Sequence, residues 1–198
     1  FEKRVWTIPR NRPDGSLIAK GARWIKAEKA PLIVGGGGVH YSEEWGALRT
    51  FAEAAGIPSC ETQAGKGALP YDHPLNLGAV GTTGTHGANI MAREADVIIG
   101  IGTRYSDFTS ASKTTFQNPD VKFININVAE FDAYKHHAFP LTGDAQATLE
   151  ELAAAISGYH TAEGYQQRAA AYNREWDLEV HRIYNLEHEP MLSQGEVV

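Results

Sequence analysis

Glycine-rich segments that lie between a predicted strand and a predicted helix are the parts of this sequence best suited to hold a ligand. The first is the run of glycines 35–38, which follows the apolar residues 32–34. Glycine lets a backbone approach a phosphate closely, and a helix N-terminus offers N–H groups without partners. The dinucleotide fingerprint is incomplete, because His40 stands where its third glycine would be. A tight strand-to-helix turn explains the same glycines, so both interpretations stay open.

The second such segment is residues 61–70, which follows the next predicted strand. Lys66 could meet a phosphate there, or it could be a solvated loop lysine. This is no Walker loop, because neither Ser nor Thr follows Lys66. Glu61 ends the predicted strand at the place where a dinucleotide enzyme positions the acid that binds ribose.

Two more segments follow the same pattern. Residues 81–88 open a predicted helix, and their hydroxyl and N–H groups could hold a pyrophosphate or a ribose. His86 has no acidic or nucleophilic neighbour in the sequence, so we interpret it as a capping or cofactor-edge residue rather than a base. In residues 100–107, Arg104 could bind a phosphate through two parallel hydrogen bonds or pair with Asp107.

Polar residues also follow the last strands. Asn125 and Asn127 point to one face of a strand, because side chains alternate along it. Asn127 could contact an adenine or a ribose, and internal hydrogen bonding is the competing interpretation. Asp144 is best placed to cap the next helix, and its position at a strand end leaves a ligand role open.

Neither a metal site nor a catalytic residue is predicted within this chain. The adjacent His136 and His137 diverge and have no partner at a ligand spacing. Gly143 and Asp144, with Asn173, resemble the spacing of a magnesium–diphosphate motif, but the third glycine is missing. A nucleophile elbow and a catalytic triad are absent from the sequence.

Strand and helix patterns alternate along the chain, which indicates a doubly wound α/β fold with a mostly parallel, Rossmann-like sheet. A long amphipathic helix follows at residues 165–183. We interpret residues 1–14 as a linker, 15–157 as the central domain and 158–198 as a helical linker to a further domain. The predicted strands cover residues 32–34, 57–61, 77–80, 97–101, 121–128 and 139–142. The predicted helices cover residues 17–29, 43–55, 88–95 and the segment after Asp144. Ser16 is the predicted cap of the first helix and Ser42 that of the second, which has Glu43 and Glu44 in its first turn.

The composition excludes several classes of protein. The 198 residues are 42% hydrophobic and 21% charged, with a net charge of −6, which argues against a nucleic-acid-binding face. Apolar runs fall short of a membrane span, and the single Cys60 fits a reducing cytoplasm. The basic cluster of Lys3, Arg4, Arg10 and Arg12 is interpreted as a solvated linker rather than a binding patch.

Taken in order, several segments resemble the central domain of thiamine-diphosphate-dependent enzymes. Acetolactate synthases carry similar blocks in the same order. Three segments, residues 61–67, 105–108 and 116–127, are more similar to the carbon–carbon hydrolases of that family, which open the ring of a trihydroxycyclohexane-1,2-dione in bacterial inositol degradation. The blocks that carry the resemblance are residues 29–37, 65–70, 84–87, 95–105 and 143–144.

The resemblance implies a larger enzyme with three α/β domains. Thiamine diphosphate and magnesium would be held by the pyrimidine-binding and diphosphate-binding domains, so this chain would be catalytically silent alone. The chain starts at Phe1 without Met and stops in mid-pattern, so we expect a piece of a longer protein. Its expected partners are the N- and C-terminal domains of the same chain and further copies in a homo-oligomer, without nucleic acid or membrane.

The resemblance also implies a nucleotide pocket, because acetolactate synthases hold FAD structurally in this domain. Two departures weigh against FAD here: Thr85 replaces the usual Met, and Asn125 and Asn127 replace an Asp-x-Asp pair. An FAD- or ADP-binding domain of a synthase-like or decarboxylase-like relative is therefore the alternative, and a free-standing NAD-binding module is a third. The candidate cofactor-binding residues are Gly36, Gly37, Thr62, Gln63, Thr85, His86, Gly87, Gly102, Arg104, Asn127 and Asp144.

Overall fold

A computed structural model describes Glu2, residues 5–43 and residues 45–197. Six strands form one sheet: β1 (Pro31–Gly35), β2 (Ser59–Glu61), β3 (Asn76–Ala79), β4 (Val97–Ile101), β5 (Lys122–Asn127) and β6 (Phe139–Thr142). Their order across the sheet is β3-β2-β1-β4-β5-β6, and every neighbouring pair is parallel. The predicted α/β fold class is confirmed.

Helices connect the strands and cover the sheet. Within the described residues, none of them is both long and apolar enough to cross a lipid bilayer. They are α1 (Gly15–Ala27), α2 (Gly37–Tyr41), α3 (Trp45–Ala55), α4 (His86–Glu94), α5 (Asp107–Ser110), α6 (Glu130–Ala133), α7 (Ala145–Ala155), α8 (Glu163–Tyr184) and α9 (Gln194–Val197).

The sheet is buried on both faces, which explains its continuously apolar strands. In β1, Ile33 belongs to one hydrophobic cluster, while its neighbours Leu32 and Val34 belong to the other. The first cluster includes residues of α1, α3 and α7, and the second includes residues of α4 and α8. Because successive side chains of a strand point to opposite faces, a strand covered on both sides needs apolar residues at every position.

Two predicted helix starts are corrected by the structure. Asp14, not Ser16, caps α1, because its Oδ1 accepts the N–H of Ser16 at 2.7 Å. The predicted helix of residues 43–55 is α3, which begins at Trp45, and Ser42 lies at the end of the separate short helix α2 rather than at the start of α3. Glu43, between the two helices, has a left-handed φ of 54°. The predicted position of Glu44 lies outside the described residues.

Other element ends agree more closely. Helix α4 begins two residues earlier than predicted, with Thr85 as its cap, and β2 begins at Ser59 instead of residue 57. The predicted cap of α7 is confirmed, because Asp144 Oδ1 accepts the N–H of Ala147 at 3.1 Å. The predicted long helix is confirmed as α8.

The first half of α8 packs on this domain. Ala169 is fully buried, and Tyr165 donates a hydrogen bond from its hydroxyl to the carbonyl of Pro31 at 3.0 Å. Arg168 pairs with Glu94 of α4 at 2.9 Å. This part of α8 therefore completes the second hydrophobic cluster.

The N-terminal segment is tied to the domain by arginines. Arg12 pairs with Glu151 at 2.6 Å, and Arg10 pairs with the buried Asp144 at 2.9 Å. The expectation of a solvated basic cluster is corrected at Arg10, whose partner is buried, while Arg12 stays half-exposed; the other members, Lys3 and Arg4, lie outside the described residues.

Candidate functional site

A cleft opens where the order of the sheet reverses. Strand β1 lies between β2 and β4, so the chain builds the sheet outward in both directions from this point. Ligands of open parallel sheets bind in the crevice outside the carboxyl ends of the strands at such a point. The cleft here has a volume of about 790 Å³. This lies within the range of about 300–1,000 Å³ that is typical of small-molecule sites.

The structure brings most of the predicted site residues to this cleft. Gly36 precedes the lining residue Gly37 but does not itself line the cleft, and neither do Thr85, His86 and Gly87. As contacts to a cofactor, all eleven residues stay predictions. The seven that line the cleft are Gly37, Thr62, Gln63, Gly102, Arg104, Asn127 and Asp144.

The glycine run after β1 lets two loops cross. The N–H of Gly36 donates to the carbonyl of Ile101 at 2.8 Å, and the N–H of Gly38 donates to that of Gly102 at 3.0 Å. A Cβ on Gly36 would lie 2.6 Å from the Cα of Thr103. These N–H groups are therefore occupied by protein, and the tight-turn interpretation accounts for Gly36 and Gly38.

Hydroxyl groups make up much of the polar lining of the cleft. The Ser42 hydroxyl is occupied by three hydrogen bonds inside the protein, and those of Ser106 and Thr109 lie 3.3 Å apart. Thr62 Oγ1 accepts the N–H of Gly65 at 3.1 Å, and Thr103 Oγ1 accepts that of Tyr105 at 3.1 Å. A hydroxyl both donates and accepts, so these last two retain hydrogen-bonding capacity toward a ligand. The lining hydroxyl residues are Thr7, Tyr41, Ser42, Thr62, Thr83, Thr103, Ser106 and Thr109.

Glu61 does not line the cleft, so its predicted ribose contact would require a different ligand position. Its Oε2 accepts the N–H of Gly67 at 2.8 Å. Burial raises the pKa of the Glu61 carboxyl, and the Gly67 N–H together with Lys66 and His40 opposes that rise. The side chain of Lys66 is exposed on the loop.

Arg104 presents an exposed guanidinium at the cleft. The predicted alternative pair with Asp107 does not form, and Asp107 accepts a hydrogen bond from Ser112 at 3.2 Å. Among the described residues, no carboxylate lies within ion-pair distance of Arg104. The backbone beside it is fixed, since its carbonyl accepts a hydrogen bond from Lys135 Nζ at 2.8 Å. This cation is therefore available to an anionic ligand.

The two asparagines of β5 are held by internal hydrogen bonds. Asn125 accepts from the hydroxyl of Tyr105 at 2.9 Å and donates to the carbonyl of Lys135 at 3.2 Å. Asn127 donates to the carbonyl of Thr103 at 3.1 Å and accepts the N–H of Ala129 at 3.0 Å. The internal interpretation therefore holds for both, although Asn127 also lines the cleft.

Asp144 is the best-connected polar residue of the site. Its side chain is 2% exposed, and it accepts hydrogen bonds from Arg10, from the hydroxyl of Ser42 and from the N–H of Ala147. The sequence did not reveal that Arg10 reaches this carboxylate or that residues around Thr7 form a wall. A single arginine in an irregular segment carries no periodic signal, and the basic cluster was the only hint.

Residues 85–87 have structural contacts. Thr85 donates from its hydroxyl to the carbonyl of Leu77 at 2.6 Å and accepts the N–H of Ala88. The ring of His86 lies edge-on to Tyr172 of α8, with 6.1 Å between centroids. A Cβ on Gly87 would lie 2.5 Å from the Cβ of Tyr172. This segment therefore joins α4 to α8.

The described residues do not fit a magnesium–diphosphate site. They contain no group of three or more His, Cys, Asp or Glu side chains that could hold a metal ion. Asp144 is engaged by Arg10, while Asn173 lies on α8 and donates to the carbonyl of Pro74 at 3.3 Å. His136 is stacked on Phe123, with 4.9 Å between ring centroids.

Comparison with known proteins decides the family. The model of the thiamine pyrophosphate enzyme central domain matches residues 18–152. The chain belongs to this family. The cleft described above is thus the strand-end crevice of a thiamine pyrophosphate enzyme central domain, and the predicted resemblance is confirmed.

Two similar relatives carry the same name. The chain is 42% identical over 189 residues, or 96% of its length, to "3D-(3,5/4)-trihydroxycyclohexane-1,2-dione hydrolase" of Clostridium perfringens. It is 44% identical over 186 residues, or 94% of its length, to "3D-(3,5/4)-trihydroxycyclohexane-1,2-dione hydrolase 2" of Bacillus cereus. The matches cover 30% and 29% of these relatives. The chain therefore spans about 30% of the length of the curated relatives it matches.

Proposed function

We propose that this chain is the non-catalytic central domain of a thiamine-diphosphate-dependent hydrolase that opens the ring of a trihydroxycyclohexane-1,2-dione. The observation that carries the proposal is the 42–44% identity, along almost the whole chain, to relatives named for that reaction. The described residues offer no metal-binding group, so the thiamine diphosphate and magnesium would be held by other domains. The role of this domain is then to join those domains and to fix their spacing.

Exposed apolar side chains beside the cleft are evidence for contacts with partner domains. Val128, Phe131 and Tyr134 are 67%, 81% and 57% exposed, and they follow the carboxyl end of β5. Exposed apolar clusters of this kind mark interaction surfaces. In the proposed enzyme they would be covered by the N- and C-terminal domains of the same chain, and the complete protein would assemble as a homo-oligomer.

A domain exchange tests the proposal. The central segment of the Clostridium perfringens hydrolase is replaced by this chain, and ring opening of the dione is measured with thiamine diphosphate and magnesium. Because a misplacement of about 1 Å can cost about 100-fold in rate, we expect the chimera to keep kcat within about 100-fold of the parent. The same exchange into an acetolactate synthase is the control, and we expect no synthase activity from it.

Two results would contradict the proposal. One is ring opening by the isolated chain, which would place the catalytic residues within it. The other is a folded but inactive hydrolase chimera beside an active synthase chimera, which would assign the domain to the synthase branch.

The second candidate function is nucleotide binding in the cleft, with FAD or ADP as the ligand. Its support is the exposed guanidinium of Arg104 at a cleft of about 790 Å³. The hydroxyl-rich lining fits a ribose, and the buried carboxylate of Asp144 already occupies the start of α7. A bound phosphate would therefore lie at the Arg104 side of the cleft.

Calorimetric titration with ADP tests this second function. A charge-assisted hydrogen bond contributes about 1.5–3 kcal/mol. Since about 1.4 kcal/mol is a factor of ten in affinity, Arg104→Ala should weaken ADP binding by about tenfold or more. Lys66→Ala removes an exposed cation outside the cleft and should leave ADP binding unchanged. Adenosine, which lacks the phosphates, should bind both variants equally, and equal ADP affinity of Arg104→Ala and the wild type would refute the assignment.

A further inference from the structure

One wall of the cleft is a segment without helix or strand. Residues 7–11, called the N-terminal strap below, supply Thr7, Ile8, Pro9 and Asn11 to the lining. The backbone of the strap is held at one end, where the carbonyl of Asn11 accepts the N–H of Asp144 at 2.8 Å.

Arg10 is the side chain that fixes the strap to the sheet edge. Its Nη1 lies 3.0 and 2.9 Å from the two carboxylate oxygens of Asp144, and it donates to the hydroxyl of Ser42 at 2.7 Å. Asp144 is 2% exposed, whereas Arg10 is 35% exposed. Removing Arg10 would leave a buried carboxylate without its counter-charge, which is a costly arrangement.

The hydroxyl of Ser42 joins this ion pair to a second wall. It donates to Asp144 Oδ2 at 2.8 Å and accepts hydrogen bonds from Arg10 and from the N–H of Gln146. Ser42 ends α2, whose Gly37, Gly38 and Tyr41 line the cleft. The start of α7 lines it too, through residues 143–145.

Three walls of the cleft therefore meet at one buried network: the strap, the end of α2 and the start of α7. We infer that Arg10 is a positioning residue of the cleft, which holds these three walls in register through Asp144 and Ser42. This inference is independent of the ligand and of the proposed enzyme, because it concerns the construction of the cleft itself.

Site-resolved hydrogen exchange of the purified chain tests the inference. Arg10→Ala should speed amide exchange by about tenfold or more in the strap, in residues 37–42 and in residues 145–148 together, because local opening controls exchange. Amides of β1 and β4 should keep their protection, which shows that the variant is folded. Arg12→Ala is the matched control: it removes an arginine of the same segment whose partner, Glu151, lies outside the cleft lining, and it should leave these amides unchanged.

Rescue variants separate positioning from general loosening. Arg10→Lys keeps the charge and should restore most of the protection. The double variant Arg10→Ala/Asp144→Asn removes the buried unpaired charge, and it should exchange more slowly than Arg10→Ala at residues 145–148. If Arg10 only shields the underlying residues from solvent, neither variant should restore the protection.

Ser42→Ala keeps the inference testable if Arg10→Ala fails to fold. It should speed amide exchange in residues 37–42 and at Gln146, whose N–H loses its acceptor, while the strap stays protected because the ion pair of Arg10 with Asp144 remains. The inference is overturned if Arg10→Ala, or Ser42→Ala in its place, changes only the strap, or if Arg12→Ala produces the same pattern as Arg10→Ala.

Discussion

Gly36→Ala is expected to lower the free energy of unfolding by about 3 kcal/mol, at the upper end of the cost of overpacking a core. A Cβ at this position would lie 2.6 Å from the Cα of Thr103 and 2.8 Å from the carbonyl carbon of Gly102. Both are backbone atoms, so a rotamer change cannot relieve the contact. Gly36 has φ −109° and ψ −175°, which alanine adopts readily, so the effect is steric alone.

The neighbouring glycine is the control for this experiment. A Cβ on Gly35 would lie 3.7 Å from the Cβ of Ala68 and 3.8 Å from the carbonyl oxygen of Cys60, which are ordinary contacts. Gly35→Ala should therefore change stability by less than about 1 kcal/mol. Urea unfolding of both variants measures the difference. Equal stabilities would mean that the loops of β1 and β4 are not held as closely as the structure shows.

The contrast between these two glycines shows what the sequence could predict. The alternation of apolar strands with amphipathic helices depends on local period, so the parallel α/β fold and five of the strands could be located closely. A run of glycines indicates a tight turn or a close approach. The sequence could not show which glycine meets another loop, because Gly102 is 66 positions away from Gly36.

For the candidate site, the sequence could likewise predict the position at the sheet edge but not the long-range contacts. The rule that ligands bind at the carboxyl ends of parallel strands agrees with seven of the eleven candidate residues, which line the cleft. The rule failed for residues 85–87, whose contacts come from α8. It also missed the strap, because the ion pair of Arg10 with Asp144 spans 134 positions and leaves no local pattern in the sequence.

Asn125→Asp is expected to show how strongly the interior of β5 depends on an amide. The side chain is 2% exposed. The amide donates to the carbonyl of Lys135, and an ionised carboxylate cannot donate. Desolvation raises the pKa of a fully buried carboxyl by up to about 3–5 units above its usual value of about 3.9. At about 1.36 kcal/mol per pKa unit, the variant should lose about 4 kcal/mol at pH 7.

The pH dependence distinguishes charge burial from a simple packing defect. The pKa of the new carboxyl is higher in the folded than in the unfolded state, so below about pH 4 it is protonated in both states. It can then donate to Lys135 as the amide does. The deficit relative to the wild type should therefore be small in acid, grow as pH rises above the unfolded pKa of about 3.9, and level off once pH exceeds the folded pKa. Asn173→Asp, at a partly exposed position on α8, should cost less than about 0.5 kcal/mol throughout.

A deficit of Asn125→Asp that stays constant across pH would contradict this account, because the cost would then come from side-chain shape rather than from charge.

The outcome also bears on how this domain differs from that of acetolactate synthases. The resemblance places aspartates at positions 125 and 127 in acetolactate synthases, where they would act as acceptors only. In this chain Tyr105 and Lys135 require both a donor and an acceptor from Asn125. The asparagine thus ties β5 to Tyr105 and to the loop at Lys135, and a synthase-like aspartate would require that loop to be rebuilt.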